Sequence, residues 1–159
     1  MSGIHPEVAY KCLANSAIRK SWDLKMTDLR TLGREGNTET KYYVVKSNIP
    51  LVGDRDVVVK EEQVENYPGD GIYCLAFTSC EHPEMPVRPN YTRASNHFTG
   101  YKFSPAPEIN GAWMEWIQNL DVNGEIPAFV FRMAGEKMQL KTFQNMRAGF
   151  DKEQEKFDQ

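Results

Sequence analysis

The stretch PAFVFRMAGEKMQLKTFQNMRAGFDKEQEK, residues 127–156, decides the fold. A proline opens it, and only Gly135 and Gly149 interrupt residues that favour a helix. Apolar side chains recur at helical spacing along one side; they are Phe129, Met133, Leu140, Phe143 and Phe150. The pattern predicts one helix, roughly 45 Å long at about 1.5 Å per residue. A helix with so long an apolar stripe needs a large apolar partner.

Six β-rich runs before this helix supply that partner. Turn residues separate them, and the runs are 26–34, 38–47, 55–64, 72–80, 92–103 and 112–121. Short connections between successive runs favour an antiparallel meander. One further helix is predicted at the front, from Pro6 to about Ser21. The predicted fold class is therefore α+β, a curved antiparallel sheet of about six strands wrapped on a long C-terminal helix and preceded by a short helix.

Composition and charge exclude several classes of protein. The chain has 159 residues, which suits one domain, and a net charge of -3 at pH 7. Proteins that follow phosphates usually carry excess positive charge, so we expect no nucleic-acid partner. The longest apolar runs, such as 129–131, are far shorter than the roughly 20 residues that span a bilayer. Without a signal-peptide pattern or paired cysteine spacing, the sequence favours a cytoplasmic protein.

The sequence carries no pattern typical of catalysis or metal binding. The three histidines, His5, His82 and His97, have no metal-ligand spacing, and the nucleophile motif G-x-S-x-G does not occur. We therefore predict no catalytic residues, no metal and no cofactor, and we expect that the protein is not an enzyme.

Four motifs occur in order along the chain: AIRKSWD at 17–23, IPLVGDRDVVV at 49–59, a Pro-rich loop with an R-A…G-Y strand within 82–105, and DVNGEIP at 121–127. Together they resemble the START (StAR-related lipid transfer) domain family. The first is similar to an R-x-x-W-D pattern that ends the family's helix, the second to its proline, loop and Arg-Asp strand, and the last to the step into its final helix. Each motif is weak alone, but the ordered set is specific. Residues 1–159 are identified as one START-like domain.

This resemblance implies a fold and a function. The fold is the helix grip, in which the sheet and the C-terminal helix enclose one apolar tunnel. The function is intracellular lipid binding and transfer, with a phospholipid or a sterol as ligand and transient, peripheral contact with membranes. The loop at 48–54 and the C-terminal helix resemble the family's gate.

The resemblance is nearest to members that transfer phosphatidylcholine, and it assigns candidate headgroup residues. In those members the matching R-K-x-W-D segment lies at the headgroup, so Arg19 would grip a phosphate, and Asp23 would face a choline or orient the arginine. The alternative is a solvated pair of little energetic value. Trp22 is a candidate for the wall of a lipid or choline cage, although a core role is favoured for it.

Other candidate lipid-binding residues come from strand and helix patterns. In the alternating run 112–121, one face carries Met114, Trp116 and Gln118, and it is predicted to face the interior. Gln118 would be the single polar anchor of a pocket or a satisfied buried amide. Met133 would line the tunnel or belong to the core. Arg55 is a candidate pocket charge, but a structural role in tying down the neighbouring loop is favoured.

One departure from the family concerns the front of the domain. Family members usually have another helix and about three strands before the helix that begins near Pro6. Those strands would lie beside 112–121, so we expect an unpaired apolar edge there, which invites homodimerisation. The alternative is that the chain is a fragment of a longer protein.

Two other functions stay open at this point. One is a regulatory or interaction domain with a vestigial pocket. The other is a helix-grip enzyme acting on a small hydrophobic substrate, because fold alone does not exclude catalysis.

Overall fold

The computed structural model describes the backbone of residues 1–47, 49, 52–126 and 128–159, and the side chains of the same residues except 128–138. Three helices are α1 (Pro6–Ala14), α2 (Ser16–Trp22) and α3 (Ala128–Phe157). The strands are β1 (Met26–Glu35), β2 (Thr38–Val45), β3 (Arg55–Glu65), β4 (Tyr73–Ser79), β5 (Thr92–Arg93), β6 (Ser95–Ala106) and β7 (Gly111–Asp121). The predicted fold class and the long C-terminal helix are confirmed.

The front of the chain forms two helices, so the prediction of a single helix over 6–21 was wrong. Asn15 separates α1 from α2 with extended backbone angles, φ -79° and ψ 113°. Its side-chain Oδ1 accepts hydrogen bonds from the N–H groups of Ala17 and Ile18, at 2.9 and 3.2 Å. An asparagine that satisfies free N–H groups in this way begins a new helix instead of continuing the old one.

The strands form one sheet in the order β1-β2-β3-β4-β6-β7, in which all neighbours are antiparallel. The predicted run 92–103 is divided at Ala94. Its first two residues form β5, which pairs in parallel with the start of β3, and the rest forms β6. Asp56, fully buried on β3, receives two hydrogen bonds of 2.9 Å from Arg93 and so fixes this crossover.

The core lies between the inner face of the sheet and the helices. Alternate residues of β3, β4 and β6 point inward; those that are buried include Val57, Val59, Leu75, Phe77, Tyr101 and Phe103. α1 contributes Val8, Cys12 and Leu13 to the same cluster, and α3 contributes Met146 and Phe150. The ring centroids of Phe150 and Phe103 are 6.4 Å apart in an edge-to-face arrangement. Helix and sheet are therefore joined by aromatic packing at the C-terminal half of α3.

Gly149 allows α3 to approach α2 closely. A Cβ atom at this position would lie 2.6 Å from Cγ of Trp22, with other atoms of the indole at 2.8 and 2.9 Å. The indole also packs edge-to-face against Phe150, with centroids 6.5 Å apart, and its Nε1 donates to the carbonyl of Cys12 at 3.2 Å. Only glycine lets the backbone of α3 rest on this ring.

We predict that Gly149→Ala destabilises the protein by about 1–3 kcal/mol, because the added methyl group overpacks the Trp22 contact. At an open helical site the same change would stabilise the helix by about 1 kcal/mol, so the sign of the effect is diagnostic. The measurement is the free energy of unfolding in urea. In a Trp22→Leu background the loss should shrink or reverse, and an equal loss in both backgrounds would contradict the packing account.

Candidate functional site

Arg19 of α2 points into the inner face of the sheet. Its side chain is 16% exposed, and Nε lies 3.6 Å from Oδ2 of Asp23, one helical turn away. Its Cζ lies 6.0 Å from the centroid of the Phe77 ring on β4. The predicted pair is therefore mostly enclosed against an aromatic wall, unlike a solvated pair on a helix surface. A guanidinium so placed keeps most of its charge available to a third group, since 3.6 Å is a long ion-pair contact.

An aromatic wall runs from Arg19 to the edge of the sheet. Phe77 meets Tyr101 edge-to-face with centroids 6.0 Å apart, and Tyr101 stacks on Trp116 at 5.6 Å. Trp116 in turn meets Phe143 of α3 at 5.2 Å. This wall gives the interior an apolar surface that spans β4, β6 and β7 and reaches the helix above them.

Two buried donors of this wall lack acceptors among the described residues. They are Nε of Arg19 and Nε1 of Trp116. Buried polar groups in folded proteins almost always have a hydrogen-bond partner, and a donor without one indicates a ligand or a water molecule. Both donors lie against the inner face of the sheet, since Arg19 is above the Phe77 ring and Trp116 packs on the core.

The tyrosine hydroxyl groups of the site remain protonated. Burial raises the pKa of Tyr43 to about 12, and the nearby charge of Arg19 only partly offsets it. Burial likewise raises the pKa of Tyr101, again with Arg19 acting in the opposite direction. Both hydroxyls are therefore neutral at physiological pH, and Arg19 is the cation that acts on them.

A buried ion pair beneath α1 was not anticipated from the sequence. Lys41 Nζ lies 2.8 Å from both carboxylate oxygens of Glu61 and 3.0 Å from Glu39, and it donates to the carbonyl of Ala14 at 2.6 Å. Gln63 donates a further bond of 2.7 Å to Glu61. The alternation of β2 and β3 would have revealed it, because residues 41 and 61 share the inward parity of Tyr43 and Val59.

Glu61 is the less well satisfied member of this ion pair. Burial raises the pKa of its carboxyl group, while the charge of Lys41 and the hydrogen bonds from Lys41 and Gln63 lower it. Oε2 is close enough to Lys41 but too poorly aligned for a hydrogen bond, so it lacks a good partner among the described residues. The charges of the pair neutralise each other within the fold, although this one oxygen keeps an unused acceptor position.

The other predicted site residues have different surroundings. Met114 and Trp116 are half-buried and pack on the core, which confirms that their face of β7 is the inner one. Gln118, on the same face, is exposed near the end of the strand. Trp22 contacts helices, in keeping with its favoured core role. The side chain of Met133 lies outside the described residues, as do parts of the predicted gate loop at 48–54.

Arg55 has the structural role that the sequence favoured for it. Its guanidinium donates to the carbonyls of Val122 and Asn123, at 3.0 and 2.9 Å, and also to the carbonyl of Gly53. These bonds tie the loop before β3 to the turn that precedes α3. Nε and both terminal nitrogens of Arg55 thus already donate to backbone carbonyls, and a role for it as a pocket charge stays a prediction.

Two polar crevices lie at the β1–β2 end of the sheet. They measure about 300 and 340 Å³ and share the polar residues Arg34, Gln63 and Glu65. Among the residues that the structure describes, no helix combines the length and hydrophobicity of a membrane span, and no three His, Cys, Asp or Glu side chains cluster as metal ligands.

Comparison with known proteins gives consistent matches. A family model for the START domain matches residues 2–156. The mitochondrial steroidogenic acute regulatory protein of Danio rerio is 27% identical over 130 residues, which cover 79% of this chain and 44% of that protein.

Solved structures with the same fold are more distant in sequence. Human STARD10 superposes with a TM-score of 0.82 at 23% identity, covering 94% of this chain and 59% of that one. Human StAR-related lipid transfer protein 5 superposes with a TM-score of 0.79 at 19% identity, covering 99% of this chain and 74% of that one. The chain thus spans about half the length of the curated relative and somewhat more of the first structure.

We predict that Lys41→Met lowers the free energy of unfolding by about 3–5 kcal/mol, because it leaves a buried carboxylate without its counter-ion. Losing Lys41 removes contributions that lower the pKa of Glu61, so this pKa rises further above its unfolded value. Between the two pKa values the folded state holds more protons, and stability falls as pH rises through that window. The loss of unfolding free energy caused by Lys41→Met should therefore be largest at neutral pH and shrink in mild acid.

The control for this prediction is the double variant Lys41→Met with Glu61→Leu. It removes both charges and should recover most of the lost stability. Urea unfolding of both variants at neutral and mildly acidic pH gives the comparison. A deficit independent of pH, or one that Glu61→Leu does not relieve, would show that the ion pair is not its source.

Proposed function

Because this chain belongs to the START domain family, whose model matches residues 2–156, we propose that it binds a lipid between the inner face of its sheet and α3 and carries it between membranes. The aromatic wall from Phe77 to Trp116 suits acyl chains or another apolar body. We propose that the protein is a cytoplasmic carrier and not an enzyme. Its acidic group at 61 is already held by Lys41 and Gln63, so it is not free to act as an acid or base.

The observation that carries this proposal is the state of Arg19. Its guanidinium is enclosed and close to an aromatic ring, and its Nε lacks an acceptor among the described residues. An enclosed cation is costly unless an anionic group satisfies it, and Asp23 at 3.6 Å does so incompletely. A phosphate accepts short, charge-assisted bonds from a guanidinium. The arrangement therefore favours a phospholipid over a sterol, whose single hydroxyl group cannot neutralise Arg19.

Asp23 completes the headgroup proposal. A zwitterionic headgroup carries a cation a few bonds from its phosphate, and a carboxylate beside Arg19 would face that cation. Trp116 Nε1, the second buried donor without an acceptor among the described residues, would bind a carbonyl oxygen of the lipid. This assignment uses two donors and one acceptor, which matches the mixed polarity of a phospholipid where its headgroup meets its chains.

We also propose that the corner between α2 and β1 touches membranes. Leu24 is 78% exposed at this corner and is flanked in sequence by Lys25. The N–H of Lys46 donates to the carbonyl of Lys25 at 2.9 Å, which places the corner beside the start of the gate loop. An exposed leucine with neighbouring lysines suits a surface of anionic lipids, where the apolar group inserts and the ammonium groups stay at the headgroups.

We predict that Arg19→Leu weakens binding of phosphatidylcholine by roughly 10–100-fold, since a hydrogen bond to a charged group contributes about 1.5–3 kcal/mol. Lys20→Leu is the matched control, because it removes an exposed cation from the neighbouring position of the same helix. Transfer of fluorescent phosphatidylcholine between vesicles provides the readout. Equal transfer by the two variants would contradict the headgroup role of Arg19.

We predict that Leu24→Asp lowers partitioning onto phosphatidylserine-containing vesicles roughly tenfold, since burial of a leucine side chain is worth about 1.5–3 kcal/mol. Phe157→Asp is the control, as Phe157 is 50% exposed and ends α3 next to His5, at the other end of the sheet. Vesicle co-sedimentation measures both. Loss of partitioning in the control alone would place the membrane contact elsewhere.

A further inference from the structure

β7 is an edge strand of the sheet formed by the described residues. It pairs with β6 along one side, and among those residues its other side meets Ser2, through the bridge between Ser2 and Gly111. The N–H of Ala112 donates to the carbonyl of Met1, and the amino group of Met1 donates to the carbonyl of Ala112. The backbone groups of Ala112 therefore point away from β6.

Strand alternation extends this direction to the rest of β7. Every second residue after Ala112 also turns its N–H and C=O outward; these residues are Met114, Trp116, Gln118 and Leu120. The chain start does not reach them, since its bonds end at Ala112. Within the described residues, no strand pairs with this stretch. These four alternate residues, whose N–H and C=O groups face outward, make a template for another strand.

The outer face beside this edge is apolar and exposed. Trp113 is 53% exposed, Ile117 63% and Phe98 of β6 41%. Gly100, opposite Ile117, has no side chain, and the Phe98 ring lies across it within 3.0 Å of where a Cβ would be. The Phe98 ring and Ile117 thus meet over Gly100 in one apolar patch at the sheet edge. A patch of this kind at an unpaired edge indicates an interface with another chain.

We propose that this edge binds a second copy of the same chain, with two β7 strands antiparallel about a two-fold axis at Ile117. The four free residues at 114, 116, 118 and 120 are symmetric about position 117. In that register Met114 pairs with Leu120 of the partner subunit, and Trp116 pairs with Gln118 of the partner subunit. Four such residue pairs with two bonds each would satisfy every outward group from 114 to 120.

The side chains agree with this register. On the outer face Ile117 meets Ile117 of the partner subunit, and Glu115 meets Asn119 of the partner subunit, so no like charges face each other. An axis at 115 would oppose two glutamates and would need Ala112, which is already bonded to Met1. Since a two-fold axis through an antiparallel pair keeps both inner faces on one side, the second copy would also extend the wall that carries Trp116.

The expected dimer is of moderate affinity. One strand pair with its flanking side chains buries less than the roughly 1,600 Å² of a standard stable interface. We therefore expect a dimer that dissociates on dilution. This inference does not rest on lipid binding, because it concerns only the backbone and outer face of the edge.

The test compares two variants that add the same charge to the same face of β7. Ile117→Lys would place two lysines against each other at the axis and should abolish dimerisation. Asn119→Lys would place a lysine opposite Glu115 of the partner subunit and should preserve or strengthen it. Sedimentation velocity over a range of concentrations measures the association, with circular dichroism to check that each variant is folded. A wild type that stays monomeric, or equal loss in both variants, would overturn the proposal.

Cross-linking tests the register even if Ile117→Lys fails to fold. In a background of Cys74→Ser and Cys80→Ser, Ile117→Cys would bring two thiols together at the axis, close enough for a disulfide on mild oxidation. Glu115→Cys is the control, because its two copies would lie roughly 13 Å apart along the strands. Covalent dimer from Ile117→Cys alone supports the register, and none, or equal amounts from both, contradicts it.

Discussion

The contact between the backbone of Gly149 and the Trp22 indole sets how closely α3 approaches the rest of the molecule. Because no side chain separates them, Met146 and Phe150 reach the core, and Phe150 meets Phe103 on the sheet. These contacts anchor the C-terminal half of α3. Phe143, one turn further toward the start of the helix, meets Trp116 and remains 41% exposed. The helix therefore packs on the core through Met146 and Phe150, and at its middle it meets the aromatic wall through Phe143.

The interior contains charges of two kinds, and their difference separates support from binding. Lys41 and Glu61 neutralise each other at 2.8 Å, Lys41 also donates to the end of α1, and Gln63 donates to Glu61. Arg19 has, among the described residues, a long contact to Asp23 and an aromatic ring below it. The first pair holds the fold together, while the second retains a deficit that an anionic group would relieve. Burial alone does not distinguish the two pairs, but the ion-pair distance does, at 2.8 Å for Lys41–Glu61 and 3.6 Å for Arg19–Asp23.

Periodicity over many residues predicted the fold well. The last helix and five of the six strand runs were located within about two residues, because each repeats its pattern several times. Periodicity did not predict the breaks at Asn15 and Ala94. At Asn15 one side chain caps a new helix, and at Ala94 a strand changes partner. Arg19 and Asp23 became candidates only through resemblance, since spacing alone is also that of a surface pair. Lys41 and Glu61 were missed because charged residues in strands are usually assigned to the solvent face.

The central claim is that a lipid occupies the space beside Arg19. Native mass spectrometry of the purified protein, followed by solvent extraction and mass analysis of the extract, tests it most directly. The account predicts one lipid per chain, carrying a phosphate in its headgroup. A protein that is empty after gentle purification and stays empty after incubation with phospholipid vesicles would contradict it, and a stoichiometric sterol would contradict the headgroup assignment to Arg19.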